Sequence, residues 1–194
     1  MKKDALIIFA KNPIKGKVKT RLAITLGNDK AFEVYTKLFS LTYEHTKNLK
    51  HDKYLYLTES IDDNLFDKNY KKKLQWGSDL GIRMFNAFKE LFDLGYKKIV
   101  LVGTDVPSLT EKIIKEAFEK LNTFDIVIGP SNDGGYYLIG LKKPFEYLFL
   151  NMTWGDEKVL QETIKRIKEY NTSYYLIKEL IDIDDEKDLE FLNS

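Results

Sequence analysis

Apolar residues along this chain fall into short unbroken runs that alternate with longer stretches in which they recur every three or four positions. Residues 5–10, ALIIFA, are continuous, the pattern of a strand buried on both faces of a parallel sheet. Comparable runs predict strands over 54–58, 99–102, 125–128, 136–141 and 174–177. Between them, Ala31, Val34, Tyr35, Leu38, Leu41, Thr42 and His45 predict an amphipathic helix over 29–49. Leu80, Met84, Phe88, Leu91 and Phe92 mark a second helix, capped by Ser78 or Asp79 and ending before Gly95. A third carries Ile113, Ile114, Ala117, Phe118 and Leu121, with Ser108 and Glu111 at capping-box spacing ahead of it. Val159, Leu160, Thr163, Ile164 and Ile167 mark a fourth, and Asp185 can cap a terminal one. The charge-rich stretch 60–73 reads as a loop with a short helix around Leu65. Alternating strands and helices predict a three-layer α/β domain, a mostly parallel sheet with helices on both faces, spanning residues 1–194 without repeat or linker.

Composition narrows the chemistry. With 31 Lys+Arg against 30 Asp+Glu in 194 residues, a global basic field for nucleic acid is absent, so positive potential must be local. There is no Cys, which excludes thiolate nucleophiles and Cys-ligated metals, and His45 and His51 are the only histidines. A metal would therefore be held by carboxylates, which favours Mg²⁺ or Mn²⁺. No apolar run approaches the roughly 18 residues of a transmembrane helix, so membrane insertion is not expected. Asp4 interrupts the Lys2–Lys3 start before any signal-like segment, and the cytoplasm is the expected location.

Local positive charge is concentrated at residues 9–23, FAKNPIKGKVKTRLA, where Lys11, Lys15, Lys17, Lys19 and Arg21 follow the first strand with no acid among them. Pro13 and Gly16 predict a tight turn and helix entry close to Val18, a shape suited to polyphosphate. In open α/β sheets ligands bind beyond the carboxyl ends of the strands, and other unusual residues lie just after predicted strands. Asp105, in GTDVPSL, can ligate Mg²⁺ there or cap the next helix as an Asx turn. Asp184 can supply a second carboxylate, with Asp182 and Asp185 competing for the role, or belong to a solvated acidic terminus. In GPSNDGGYYLIGL, Gly134 and Gly135 permit close backbone approach and Asp133 can handle an acceptor hydroxyl; a hairpin turn explains the same residues. Tyr136 reads as half core and half wall, and Trp154 can stack on a base or sugar or sit in the core.

FAKNPIKGKVKTRLA, QWGSDLGIRM, GTDVPSL, GPSNDGGYYLIGL and DIDDEKDL, taken in order, resemble a bacterial group in the GT-A-type nucleotide-diphospho-sugar transferase superfamily, described as candidate glycosyltransferases. The group is similar to the 2-phospholactate and molybdenum-cofactor guanylyltransferases. The resemblance covers nearly the whole chain and implies a Rossmann-like fold of GT-A type. It implies that Lys11, Gly16, Lys19 and Arg21 line the nucleotide phosphates and that Asp105 and Asp184 bind the divalent ion, with Gln75, Asp79, Arg83, Gly134, Gly135, Tyr136 and Trp154 as further nucleotide or substrate contacts. Two positions depart from the group's pattern: Asp185 and Glu186 replace a Thr-Pro, and Gly103-Thr104-Asp105 lacks the first acid of an Asp-x-Asp.

The expected activity is a metal-dependent transferase using a nucleotide donor and a small-molecule acceptor. Nucleotidyl transfer from a nucleoside triphosphate, with Lys19, Arg21, Asp105 and Asp133 in the reaction, is favoured over glycosyl transfer, because the basic loop matches the higher charge of a triphosphate. In the glycosyl version Asp133 or Asp156 acts on the acceptor. A nucleotide-binding module without turnover is the alternative outside catalysis. Single-stranded nucleic acid is disfavoured by the neutral charge balance and by the acids at the same sheet edge.

Overall fold

The computed structural model describes residues 4–193. Seven strands form one sheet in the order β3-β2-β1-β4-β6-β5-β7, with β1 Asp4–Ala10, β2 Asp52–Leu57, β3 Tyr70–Leu74, β4 Lys98–Val102, β5 Ile126–Pro130, β6 Tyr136–Leu141 and β7 Tyr174–Leu176. Pairing is parallel except at β6, which runs antiparallel to both of its neighbours, β4 and β5. The Asp133-Gly134-Gly135 segment is thus the β5–β6 hairpin connection.

Strand residues alternate between two cores. Leu6, Ile8 and Ala10 of β1 face a layer containing Tyr35 and Phe39 of α1 (Thr20–Thr46) and Ile114, Ala117 and Phe118 of α3 (Glu111–Lys120). Ala5 and Ile7 face the opposite layer, with Met84, Ala87, Phe88 and Leu91 of α2 (Leu80–Asp93) and Ile167 of α4 (Val159–Glu169). This is the expected three-layer arrangement. The period-two alternation lets each strand bury apolar side chains on both faces, which is why β1, β4 and β5 read as unbroken apolar runs.

Four local expectations are corrected. Residues 60–73 contain no helix near Leu65; they contain β3, an edge strand whose Lys71, Lys72 and Lys73 gave it no apolar signature, as edge strands protected by lysines do. The first helix starts at Thr20 and runs to Thr46 as two helical segments joined at a kink at Gly27, whose φ of 80° and ψ of 163° are not helical. The cap of α3 is Thr110, which accepts from the Ile113 amide, so Ser108 is not the capping residue. The last segment, Glu186–Asn193, is a 3₁₀ turn series rather than an α-helix, and Asp188 accepts the amides of Asp184 and Asp185.

Candidate active site

The loop after β1 is fastened before it presents any charge. The Asn12 side chain donates to the Ser60 carbonyl (2.9 Å) and accepts the Glu59 amide (2.8 Å), tying the loop to the segment after β2. The Tyr35 hydroxyl donates to the Lys11 carbonyl at 2.6 Å. Gly16 then turns the chain at a φ of 83°, with open space around it. The Lys11 side chain is exposed. Lys15 pairs with Asp29, and Lys17 with Glu59 at 2.7 Å, all on the surface.

Lys19 behaves differently. It caps the start of α1 in left-handed geometry, φ 47° and ψ 47°, and this turns its side chain inward to 5% exposure. Its ammonium donates to the Ile183 carbonyl at 2.6 Å, pairs with Asp105, and lies 3.9 Å from Asp182. Burial pulls its pKa down, but Asp105, Asp182 and Asp184 together outweigh this and the net shift is upward. Two residues on, Arg21 is mostly exposed and holds Asp184 at 2.5 Å.

The acids come from three places along the sheet edge. Asp105 follows β4 on a turn fixed by the Gly103 amide donating to the Tyr137 carbonyl and by the Ile183 amide donating to the Asp105 carbonyl, each at 3.0 Å. Since Thr110 caps α3, the Asp105 carboxylate is left to the site. Asp182 and Asp184 arrive on the stretch after β7, aligned by the Leu180 amide on the Pro130 carbonyl (3.1 Å) and the Asp182 amide on the Asn132 side chain (2.8 Å). One oxygen of Asp182 is buried without a hydrogen-bond partner. Burial first, then repulsion from Asp105, Asp133 and Asp184, pushes the Asp182 carboxyl up to about 7, with Lys19 pulling the other way. Asp133 is exposed, and its Oδ1 accepts from the Ser131 hydroxyl and the Gly135 amide, closing the hairpin turn. Gly134 has a φ of 85°, and a Cβ there would lie 1.9 Å from the Glu157 carbonyl oxygen, so the turn packs directly on the chain leading into α4.

Together Lys11, Lys19, Arg21, Asp105, Asp133, Asp182 and Asp184 line a cleft of about 400 Å³ in which Lys19 is paired with Asp105 and Arg21 with Asp184. No three acidic or histidine side chains among the described residues form a ready-made metal cage. The donor set nonetheless fits Mg²⁺ or Mn²⁺, which take one or two carboxylates and complete their shell from phosphate oxygens and water. The Asp182 oxygen without a hydrogen-bond partner, which lies 3.9 Å from the Lys19 ammonium, is an acceptor suited to that use.

Other candidates have structural engagements at the same edge. Gln75 donates to the carbonyls of Ala10 (2.9 Å) and Tyr56 (3.1 Å), bridging the ends of β1 and β2. Asp79 caps α2 by accepting the Ile82 amide at 3.0 Å, and Arg83 donates to the Gly77 carbonyl at 3.1 Å. Trp154 meets Tyr136 edge to face at 6.3 Å, and neither its indole nitrogen nor the Tyr136 hydroxyl has a hydrogen-bond partner although both are buried. Asp156 accepts the Lys158 amide at the entry to α4. Sequence reasoning gave no role to Leu80, taken only for the helix's apolar face; it is 44% exposed and lines the cleft. Its position directly after the Asp79 cap, at the ligand edge, was the available signal.

A family model described as "Uncharacterized protein conserved in bacteria (DUF2064)" matches residues 42–156. The fold is closely similar to that of a candidate nucleotide-diphospho-sugar transferase from Desulfovibrio desulfuricans G20, at 32% identity and a TM-score of 0.91 over 97% of this chain and 85% of that one. A 4-diphosphocytidyl-2C-methyl-D-erythritol synthase from Anaerococcus prevotii shares the fold at 16% identity and a TM-score of 0.63, covering 99% and 95% of the two chains. The Mycobacterium tuberculosis protein Rv0371c, in complex with manganese, is similar at 11% identity and a TM-score of 0.51, covering 99% and 98%. No curated protein matches the chain significantly in sequence.

Proposed function

Given that this chain belongs to the DUF2064 family and has the fold of nucleotide-diphospho-sugar transferases, we propose that residues 1–194 form a single divalent-metal-dependent transferase unit that moves a nucleotidyl group from a nucleoside triphosphate to a phosphate-bearing small molecule. The observation that carries this reading is the cleft itself, in which the Lys11–Arg21 loop meets Asp105, Asp182 and Asp184 at the carboxyl edge of the sheet. Asp105 and Asp184 would hold Mg²⁺ or Mn²⁺, with Asp182 adjacent. A bound ion of this kind supplies positive charge to phosphate oxygens.

The chain's own residues do the remaining work. Arg21 and Lys11 are exposed cations positioned for the triphosphate, and Lys19, anchored to the Ile183 carbonyl, fixes where Asp105 stands. An anionic oxygen of the acceptor phosphate attacks the α-phosphorus, the bond from that phosphorus to the bridging oxygen breaks, and pyrophosphate leaves with the bonding electrons. The acceptor oxygen is already deprotonated, so no general base is needed; catalysis is positioning and electrostatic stabilisation. Gly134 and Gly135 keep the hairpin close to the cleft. The proposed location is the cytoplasm, where nucleoside triphosphates are available; no helix of the described residues is long and apolar enough to cross a membrane.

Glycosyl transfer from a nucleoside diphosphate sugar is the second reading, favoured by the description of the 32% identical Desulfovibrio protein. Incubation with Mg²⁺, each of the four nucleoside triphosphates or a set of nucleotide sugars, and pooled phosphorylated metabolites separates the two. Acceptor-dependent pyrophosphate release supports nucleotidyl transfer. Release of a nucleoside diphosphate from a nucleotide sugar refutes it and supports the second reading.

A further inference from the structure

Three cations and four carboxylates line the charged cleft, so it holds no surplus of positive charge for a free polyphosphate; with Asp182 in its neutral form the two signs only balance. Two of the three cations are also already engaged, and in opposite ways. Lys19 is 5% exposed, its ammonium is held by the Ile183 carbonyl at 2.6 Å, and its ion pair takes Oδ1 of the half-exposed Asp105 carboxylate. It is fixed. Arg21 is 69% exposed, and its one ion pair among the described residues runs from Nη1 to Oδ2 of Asp184 at 2.5 Å. A pair this open to water holds weakly against competing ions. Asp184 does not depend on Arg21 for its place, because its backbone amide donates to the Asp188 carboxylate at 3.0 Å.

Accepting the transferase reading above, on which this inference rests, we propose that Asp184 is a latch on Arg21: it holds the guanidinium in the empty cleft and exchanges it for the divalent ion that accompanies a triphosphate, whereupon Arg21 turns to the phosphates. The site then takes the metal–triphosphate complex and discriminates against the free nucleotide. The exchange leaves each charge with a stronger partner. A carboxylate is attracted more by a small divalent cation than by an exposed guanidinium, whose charge is single and spread over a plane. A guanidinium beside a polyphosphate gains acceptors that match its fork of donors. Of the two carboxylates assigned to the ion, only Asp184 has a counter-ion able to leave, since Lys19 is anchored in the fold as well as to Asp105.

Titration calorimetry of the full chain tests the exchange without turnover. The four ribonucleoside triphosphates are titrated into wild type in Mg²⁺, and the tightest binder is then titrated in Mg²⁺ and in EDTA into wild type, Arg21→Ala, Asp184→Asn and the double variant. Asn keeps the shape of Asp184 and its amide bond to Asp188, so the terminal segment stays anchored. In Mg²⁺, Arg21→Ala should weaken binding by at least about tenfold, and in EDTA, where Arg21 is still latched, by no more than about twofold. Asp184→Asn releases Arg21 without metal, so in EDTA it should bind the triphosphate about tenfold more tightly than wild type, and the double variant should lose that gain. A gain that persists in the double variant is the removal of negative charge alone and overturns the exchange. An Arg21→Ala loss of equal size in both media overturns it too, as does an Asp184→Asn affinity in EDTA no better than that of wild type. Wild type that binds no triphosphate even in Mg²⁺ removes the transferase reading itself, a result read before any variant is titrated.

Discussion

Replacing Asp182 with Asn should make this protein more stable, and only above acidic pH. The carboxyl is 23% exposed, one of its oxygens is buried without a partner, and Asp105, Asp133 and Asp184 surround it, against Lys19 at 3.9 Å. Its pKa is raised to about 7 in the fold, with burial the first cause, against roughly 3.9 in an unfolded chain. The sign follows from linkage. The neutral acid is accommodated in both states below about pH 4; as pH rises towards 7 the unfolded chain ionises freely while the folded one resists, so stability is lost across that interval. At about 1.4 kcal/mol per pKa unit the loss above pH 7 has an upper bound of about 4 kcal/mol. Asn keeps the shape and removes the charge, while the Asp182 backbone amide retains its bond to Asn132. Urea denaturation in EDTA should therefore show a gain of about 2–4 kcal/mol at pH 8.5, a midpoint shift of roughly 1–2 M at a typical slope, shrinking below about 0.5 kcal/mol at pH 4. A shift of equal size at both pH values, or a loss of stability at pH 8.5, would refute the reasoning. The same variant should bind Mg²⁺-triphosphate more weakly if the strained carboxylate is kept for the ion.

Arg21→Ala should leave the urea midpoint within about 0.5 kcal/mol of wild type, because its ion pair with Asp184 is exposed, while triphosphate binding weakens at least tenfold and loses part of its salt dependence. Gly134→Ala, placed at a φ of 85° and against the Glu157 carbonyl, should cost more than about 1 kcal/mol from backbone strain alone, measurable as a lowered melting temperature. Asp79→Ala removes the α2 cap and should cost about 1 kcal/mol, whereas Asp79→Asn should restore most of it; if nucleotide binding changes and stability does not, Asp79 contacts ligand rather than the helix.

Much of the scaffold was legible because burial on two faces writes itself as unbroken apolar runs: β1, β4, β5 and β6 were all visible, as were α2 and its Asp79 cap. β3 was not, because its lysines protect an edge, and edge protection looks like a loop in sequence. The acids at the sheet edge were legible from their place after strands. What escaped was the inward turn of Lys19. Nothing in a run of lysines distinguishes the one whose backbone is left-handed and whose partner, Ile183, lies 164 residues away. The ranking of Asp182 against Asp184 escaped for the same reason: only packing decides which carboxylate lies beside Lys19 and which is turned out to Arg21.

The tie between Lys19 and Ile183 also sets an order in time. A ribosome releases the loop after β1 well before residues 182–184, so a nascent chain can assemble β1 to β6 while Lys19 still lacks the carbonyl that orients it and two of the carboxylates that balance its charge. The inward setting of Lys19 would then arrive abruptly with residues 182–184. A stalled or prematurely terminated product ending before Asp182 would keep most of its sheet yet hold a mobile cation over a half-built site.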